Sequence, residues 1–219
     1  MAFEFFLLKA FDPDQRFVFF AWVLVVVVSI TLHELAHGWA ALRRGDDTPV
    51  RAGHMTLNPL VHMGPFSIAA LLIAGLAWGQ MPIDPTRMRG RYAEADVAAA
   101  GPGVNVMLAV VGAIGVGLME RFGWVGDAGW SYNLWQLLHV MAVANAFLAV
   151  FNLMPAPPLD GSRILACVND RYARFIGDPS NGGVVMFMFI GVFMLSGVFL
   201  PWVQRAVAAL ETAVTTFGL

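Results

Sequence analysis

Long runs of apolar residues, separated by shorter polar stretches, dominate the pattern along this chain. Four of the runs are close to the roughly 20 apolar residues that a helix needs to cross the hydrocarbon core of a bilayer. They cover residues 17–42, 97–119, 135–154 and 184–203. The pattern therefore predicts an all-α integral membrane protein, a helical bundle with about four full transmembrane helices.

A fifth apolar run, residues 66–80, is shorter and contains Gly75 and Gly79. Segments of this length are more typical of re-entrant or interfacial elements than of full spans. We therefore expect this segment to enter the membrane, or to lie on its surface, without crossing it.

Both ends of the chain have the pattern of surface helices. Residues 3–11 combine apolar side chains with Glu4 and Lys9, and in the tail apolar residues recur at helical spacing beside Arg205 and Glu211. Such amphipathic segments favour the headgroup layer of a membrane. We expect interfacial helices at both termini, although packing against the bundle explains the spacing in the tail equally well.

The composition supports a membrane protein. Hydrophobic residues make up 58% and charged residues 13% of the 219 residues, and the mean hydropathy is +0.69. A soluble domain has about a quarter charged residues. The length predicts a single membrane-embedded domain, residues 1–219, with a core at 17–165 and a C-terminal span and amphipathic tail at 184–219.

Two counts exclude other classes of protein. The net charge is −2 and the sequence shows no basic stripe, which argues against nucleic-acid binding. A lone cysteine, Cys167, excludes an intramolecular disulfide and a cysteine-rich metal cluster.

Three ionisable residues lie close together in the first span, where His33, Glu34 and His37 form an H-E-x-x-H motif. On a helix, positions i and i+4 lie on one face, so both imidazoles can bind one zinc ion. Glu34 can accept a proton from a metal-bound water. Chance explains such a motif on a surface helix, but ionisable residues inside a membrane are costly and usually functional. The motif predicts one Zn²⁺ per chain.

Two histidines leave a catalytic zinc site incomplete, because such a site normally has three protein ligands and an open position for water. The candidates for the third ligand are His54, His62, His139 and the carboxylates. Asp160 stands out because it follows a proline-rich stretch just past the third span and precedes Gly161, which permits a tight turn. The alternative for Asp160 is a capping or turn aspartate in a loop.

Taken together, these motifs resemble those of the site-2 proteases, zinc metalloproteases that cut within the membrane. The matching elements are His33-Glu34-x-x-His37, Gly101-Pro102-Gly103-Val104-Asn105 and Asn152-x-x-Pro155 leading to Asp160-Gly161. The segment 56–62 also resembles the short bacterial branch of the family. The resemblance implies that His33, His37 and Asp160 are the zinc ligands and that Glu34 is the base.

Several other polar residues have two interpretations each. Asn105 and Asn152 either help to position the substrate, as the resemblance implies, or form hydrogen bonds between helices. His62 either contacts the substrate or is a loop histidine bonded to the backbone. We predict a substrate-positioning role for these three residues, and a structural role for Asn145 and His139.

The sequence departs from the family pattern in two respects. Gly64 stands where the family usually has an aspartate, so the resemblance does not define the role of the loop at 54–66. The length also leaves no room for the PDZ or CBS domains of some relatives. We therefore expect substrates to be selected by the membrane core or by partner proteins.

The charge distribution tests the metal site independently. One metal can join the His pair to Asp160 only if the Arg43 end of the first span and the Arg163 region face the same side. This condition is met if the chain crosses the membrane twice between them, through 97–119 and 135–154, and if the segment 66–80 does not cross. That side then holds nine of the 13 basic residues: Arg43, Arg44, Arg51, Arg87, Arg89, Arg91, Arg163, Arg171 and Arg174. The positive-inside rule makes it cytoplasmic. We predict a zinc site inside a bacterial inner membrane, nearer the cytoplasm.

These observations predict a zinc metalloendopeptidase that hydrolyses peptide bonds of single-span transmembrane proteins, with Glu34-assisted attack of zinc-bound water. A helical substrate must unwind locally, so helix-weakening residues near the cut favour cleavage. The alternative is a membrane metal transporter or a metal-binding, non-proteolytic membrane protein. Transporters spread polar residues along a path, whereas these cluster at one depth, which favours the enzyme. The sequence leaves the substrate's identity and the oligomeric state undetermined.

Overall fold

The computed structural model describes residues 6–217. Residues 3–5 of the predicted N-terminal surface helix and residues 218–219 of the tail lie outside the described residues. The described chain is helical and contains no β-strand. Its helices are α1 (Arg16–Arg43), α2 (Thr48–Arg51), α3 (Pro59–Ala74), α4 (Ala93–Arg121), α5 (Trp130–Asn152), α6 (Asp160–Val168), α7 (Asp170–Gly177) and α8 (Gly182–Phe217).

The predicted fold class is confirmed. Helices α1, α4, α5 and α8 are long and apolar enough to cross a membrane. Helix α4 is central, because it packs against α1, α5, α6 and α8. A cluster of Ala113, Ala142 and Val207 joins α4, α5 and α8, and the small side chains let these helices approach closely.

Helix α3 is too short to cross and is interrupted at Gly64, which has φ 68° and ψ 168° and precedes Pro65. It packs on α1 through an apolar cluster that contains Ile30 and Leu71. Between α1 and Asp160 the chain therefore has two helices that are long and apolar enough to cross a membrane, α4 and α5, which is the number required by the argument from the charge distribution.

The chain after α3 runs back across α1 as an irregular segment, residues 75–84, called here the covering segment. The Trp22 indole donates a hydrogen bond to the Gly75 carbonyl (3.1 Å). Ser67 Oγ donates to the Trp78 carbonyl (2.6 Å) and accepts from the Trp78 amide (2.8 Å). The Gln80 amide donates to the carbonyl of His62 (3.0 Å). These bonds hold the covering segment in a fixed path over α1.

The far end of the covering segment is held by Asp46, which is fully buried. Its carboxylate accepts hydrogen bonds from the main-chain amides of Thr48 (3.0 Å) and Asp84 (2.8 Å). Burial raises the pKa of the Asp46 carboxyl, but the bonds from Thr48 and Asp84 and the charge of Arg87 outweigh it. The pKa therefore lies below its ordinary value, and Asp46 is ionised at neutral pH.

The two ends of the chain pack against the bundle. Phe6–Ala10 forms a short 3-10 turn, and the Phe6 ring lies 4.9 Å from that of Phe19 on α1. In the tail, Val203, Val207, Glu211 and Val214 are the buried residues of α8. The tail thus follows the second interpretation of its spacing: it is the bundle-facing part of one continuous helix. None of residues 182–200, the more apolar half of α8, is buried.

Candidate metal centre

Three side chains from distant parts of the sequence meet at one point between α1, α4 and α6. The Nε2 atoms of His33 and His37 lie 3.0 Å apart, and Asp160 Oδ2 lies 3.2 Å from the first and 3.4 Å from the second. Tetrahedral zinc ligands at roughly 2.0–2.1 Å from the ion lie about 3.3–3.4 Å from one another. The three donor atoms therefore already have nearly the spacing of a zinc site, and all three side chains are buried or nearly so.

The hydrogen bond at Nδ1 of each imidazole determines which ring nitrogen carries the proton. His33 Nδ1 donates to Asn105 Oδ1 (2.6 Å), and His37 Nδ1 donates to the main-chain carbonyl of Val97 (2.7 Å). Because both partners are oxygen acceptors, the proton is on Nδ1 and the lone pair on Nε2 faces the centre. This is the tautomer that a metal ligand needs.

Asn105 belongs to a chain of hydrogen bonds that extends into α5. Its amide nitrogen donates to Asn145 Oδ1 (2.9 Å), and the Asn145 amide in turn donates to the Met141 carbonyl (2.9 Å). Asn105 and Asn145 are fully buried. The orientation of His33 thus depends on both α4 and α5.

Helix α4 leaves room for an ion because it has glycine at position 101. A Cβ atom on Gly101 would lie 2.5 Å from Nε2 of both His33 and His37. Ordinary van der Waals contact begins at 3.4 Å. The space that a methyl group would fill is therefore next to both nitrogen lone pairs, and the residues present fit a zinc ion.

The turn at residues 153–159 places Asp160 as the first residue of α6. The Tyr172 hydroxyl on α7 holds this turn, within 2.9 Å of both the Pro155 carbonyl and Ser162 Oγ. Gly161 lies so close to the Leu153 carbonyl that a Cβ would overlap it. Asp160 Oδ2 thus lies beside Nε2 of both histidines. The carboxylate is the form of aspartate that binds metals.

Glu34 is buried beneath the covering segment. A Cβ on Gly79 would lie 2.6 Å from Glu34 Oε1 and 2.7 Å from the Ile30 side chain. The backbone at Gly79 therefore lies directly against the carboxylate and shields it from bulk water.

The structure brings His33, Glu34, His37, Asp160 and Asn105 together. Both ends of the Asn105 amide are occupied, by His33 and Asn145.

The other two predicted substrate-positioning residues bond to backbone. The Asn152 amide donates to the Leu148 carbonyl of its own helix (3.0 Å). His62 Nε2 donates to the Thr56 carbonyl (2.7 Å), while the main chain of His62 holds the covering segment at Gln80. His62 thus links the loop before α3 to the covering segment.

Sequence reasoning did not show how four groups contribute to the site. The Val97 carbonyl carries no side-chain signal, and Gly79 lies in a segment without a motif. Gly101 belongs to the Gly-Pro-x-x-Asn element. This element marks residues 101–105 as part of the family pattern but does not indicate that Gly101 contacts the histidines. Asn145 forms the interhelical hydrogen bond expected of it, and the structure adds that the bond leads to His33.

The comparison with known proteins agrees with this geometry. The family model of peptidase family M50 matches residues 21–125 and 116–198, and the chain belongs to this family, that of the site-2 proteases. YwhC of Bacillus subtilis (strain 168) is 40% identical over 184 residues, which are 82% of this chain and 83% of YwhC. Rip2 of Mycolicibacterium smegmatis is 30% identical over 192 residues, 83% of this chain and 70% of Rip2. Both carry names that describe a zinc metalloprotease.

A more distant relative is the zinc metalloprotease MJ0392 of Methanocaldococcus jannaschii, which is 28% identical over 152 residues. The matched part is 69% of this chain and 35% of MJ0392. No solved structure matches the chain.

Family membership and the four membrane-spanning helices define the class of protein. The chain is an integral membrane zinc metalloprotease, a hydrolase that acts on peptide bonds, and zinc is its cofactor. The resemblance noted in the sequence is confirmed.

Proposed function

We propose that this protein hydrolyses peptide bonds of single-span transmembrane proteins within the bilayer, with His33, His37 and Asp160 as zinc ligands and Glu34 as the general base. The observation that carries the proposal is the convergence of the three donor atoms to within 3.4 Å of one another at a buried point between the long apolar helices α1 and α4 and the short helix α6. Glu34 lies on the same helix as both histidines, next to His33.

Each side chain of the site has a distinct task in the proposed mechanism. When bound, zinc supplies Lewis-acid polarisation of the scissile carbonyl and makes a water molecule acidic enough to attack at neutral pH. Glu34 accepts the proton of the attacking water and passes it to the leaving amine. Asn105 and the Val97 carbonyl hold the imidazoles in the binding tautomer, and the covering segment excludes bulk water.

The covering segment offers a place for an unwound substrate. The main-chain amide of Gln80 donates a hydrogen bond to the His62 carbonyl, whereas the main-chain amides of Gly79 and Met81 donate no hydrogen bond within residues 6–217. Such main-chain groups can pair with an extended peptide, as at an open sheet edge. We propose that the substrate's unwound strand lies here, beside Glu34, and that helix-weakening residues in the substrate favour this state.

We also propose that the site faces the cytoplasm of a bacterial inner membrane. Arginines lie at the end of α1 nearest the site, where the Arg89 amide donates to the Arg44 carbonyl (2.7 Å). Eight residues separate Leu35, the midpoint of the motif, from Arg43, so the metal lies about 12 Å along the helix from this basic end. The excess of basic residues on this side is the basis for the orientation.

The test is cleavage of a single-span reporter protein with a glycine-proline pair in its membrane helix, co-expressed with wild type or with Glu34→Gln. Loss of a general base costs roughly 10²–10⁴ in rate. We expect Glu34→Gln to lose cleavage by that factor while it retains zinc, and Glu94→Gln, at the start of α4, to behave as wild type. Cleavage by Glu34→Gln at the wild-type rate would remove Glu34 from the role of base.

A further inference from the structure

Helices α1 and α4 enclose a groove of about 640 Å³ on the side of the bundle, outside the metal centre. One end is apolar and includes Leu32 and Met107, and the other end holds three charged side chains, Arg43, Arg44 and Asp96. The groove therefore changes from apolar to charged along its length.

The length of the groove corresponds to one leaflet of a bilayer. Leu32 and Arg43 are 11 residues apart on α1, and Asp96 and Met107 are 11 residues apart on α4. Each wall is thus about 16 Å long at 1.5 Å per residue. Half of the roughly 30 Å hydrocarbon core is about 15 Å. An acyl chain that starts at the charged end would reach the apolar end near the bilayer midplane.

The charged end has an excess positive charge. Arg44 forms an ion pair with Asp96, so these two charges neutralise each other. Arg43 is exposed and makes no ion pair or side-chain hydrogen bond within residues 6–217. Its guanidinium is therefore free to bind a phosphate group through two parallel N–H groups.

Trp39 adds a second feature of a lipid headgroup region. It lines the groove one helical turn before Arg43 and is 59% exposed. Its indole N–H donates no hydrogen bond to the described part of the chain. Tryptophan is enriched at this depth of a membrane, where its ring lies among chains and its N–H meets polar groups.

We propose that this groove is a binding site for an anionic phospholipid. Arg43 binds the headgroup phosphate, the Trp39 indole lies at the level of the glycerol backbone, and one acyl chain lies along the apolar wall towards Leu32 and Met107. A basic pocket between membrane helices is typical of sites for anionic lipids. The lipid would bridge α1 and α4, the two helices that hold His33 and Asn105.

The test is lipid retention by the purified full chain. The protein is reconstituted with equal amounts of phosphatidylglycerol and phosphatidylcholine of identical acyl chains, and the lipids that remain bound after detergent extraction are counted by native mass spectrometry. We expect wild type to retain phosphatidylglycerol preferentially. We expect Arg43→Gln to lower that preference about tenfold, because a charge-assisted hydrogen bond is worth at least this factor.

Two further variants distinguish the groove from general charge attraction. Arg91→Gln removes an exposed arginine outside the groove and should leave the preference unchanged. Met107→Trp fills the apolar end without changing charge and should lower retention of phosphatidylglycerol. Equal retention of the two lipids by wild type, or equal effects of Arg43→Gln and Arg91→Gln, would overturn the proposal. A single-span protein that occupies the groove in place of lipid would overturn it as well.

Discussion

A Cβ atom at Gly101 on α4 would overlap both histidine ligands, so even an alanine at this position should weaken metal binding strongly. In Gly101→Ala the new Cβ would lie 2.5 Å from Nε2 of His33 and of His37. The shortfall from ordinary contact at 3.4 Å is 3.4 − 2.5 = 0.9 Å at both atoms.

The imidazoles cannot retreat freely from this overlap. His33 is held by Asn105 at 2.6 Å and His37 by the Val97 carbonyl at 2.7 Å, so moving either ring breaks a buried hydrogen bond. Loss of a partner that only orients a ligand lowers metal affinity roughly 10–100-fold. Because this substitution displaces both ligands, we expect zinc affinity and cleavage to fall by about 100-fold or more.

Gly103→Ala is the matched control, because it lies on the same helix two residues further on. Apart from its chain neighbours and the backbone of its own helix, a Cβ at Gly103 would have no atom within 4 Å. Alanine is the better helix former by about 0.5–1 kcal/mol, so this variant should unfold at the same or higher temperature and keep its zinc. Zinc binding by competition with a chelator and thermal unfolding in detergent measure the two effects. Equal zinc affinity in the two variants would refute the placement of the metal beside Gly101.

Three further predictions concern the surroundings of the site. Asn105→Ala should weaken zinc binding roughly 10–100-fold and Asn145→Ala by a smaller factor, whereas Asn152→Ala should leave it unchanged; chelator competition would contradict the hydrogen-bond chain if Asn105→Ala bound zinc like wild type. Gly79→Val should push the covering segment off Glu34 and reduce the cleavage rate at unchanged zinc content, and an unchanged rate would argue against the shielding of Glu34. Asp46, whose pKa is lowered in the fold, stabilises the protein above its unfolded-state pKa of about 3.9 and loses this effect as pH falls through the folded-state pKa. The thermal midpoint of wild type should therefore drop more steeply at acid pH than that of Asp46→Asn, and parallel pH profiles would show that Asp46 does not anchor the segment.

The apolar pattern was sufficient to predict most of the fold. The spans are encoded by length and hydropathy alone, so α1, α4, α5 and α8 were predictable within a few residues. The tail of α8 was harder, because Val207 and Val214 show a helical spacing that fits a lipid surface and a protein surface equally well. Only the position of α4 and α5 beside the tail decides between the two.

The residues of the site also form two groups, those that the sequence predicted and those that only the structure shows. His33, Glu34 and His37 form a local motif. Asp160 was a candidate because it comes after a proline-rich stretch, and the family resemblance implied that it is the third ligand. Gly79, Gly101 and Asn145 take part through contacts between distant segments, which a single sequence does not record. Asn105 was predicted to face the substrate, but both ends of its amide bond within the protein. Whether it also contacts a substrate remains a prediction.

The central claim is that residues from α1 and α6 bind one zinc ion together. The most direct test is the zinc content of the detergent-purified protein, measured for wild type, His37→Ala and Asp160→Ala. The three-ligand site predicts one zinc per wild-type chain and loss of zinc in both variants. Full zinc content in Asp160→Ala would show that the third ligand lies elsewhere, and a wild-type chain without zinc would contradict the metal centre itself.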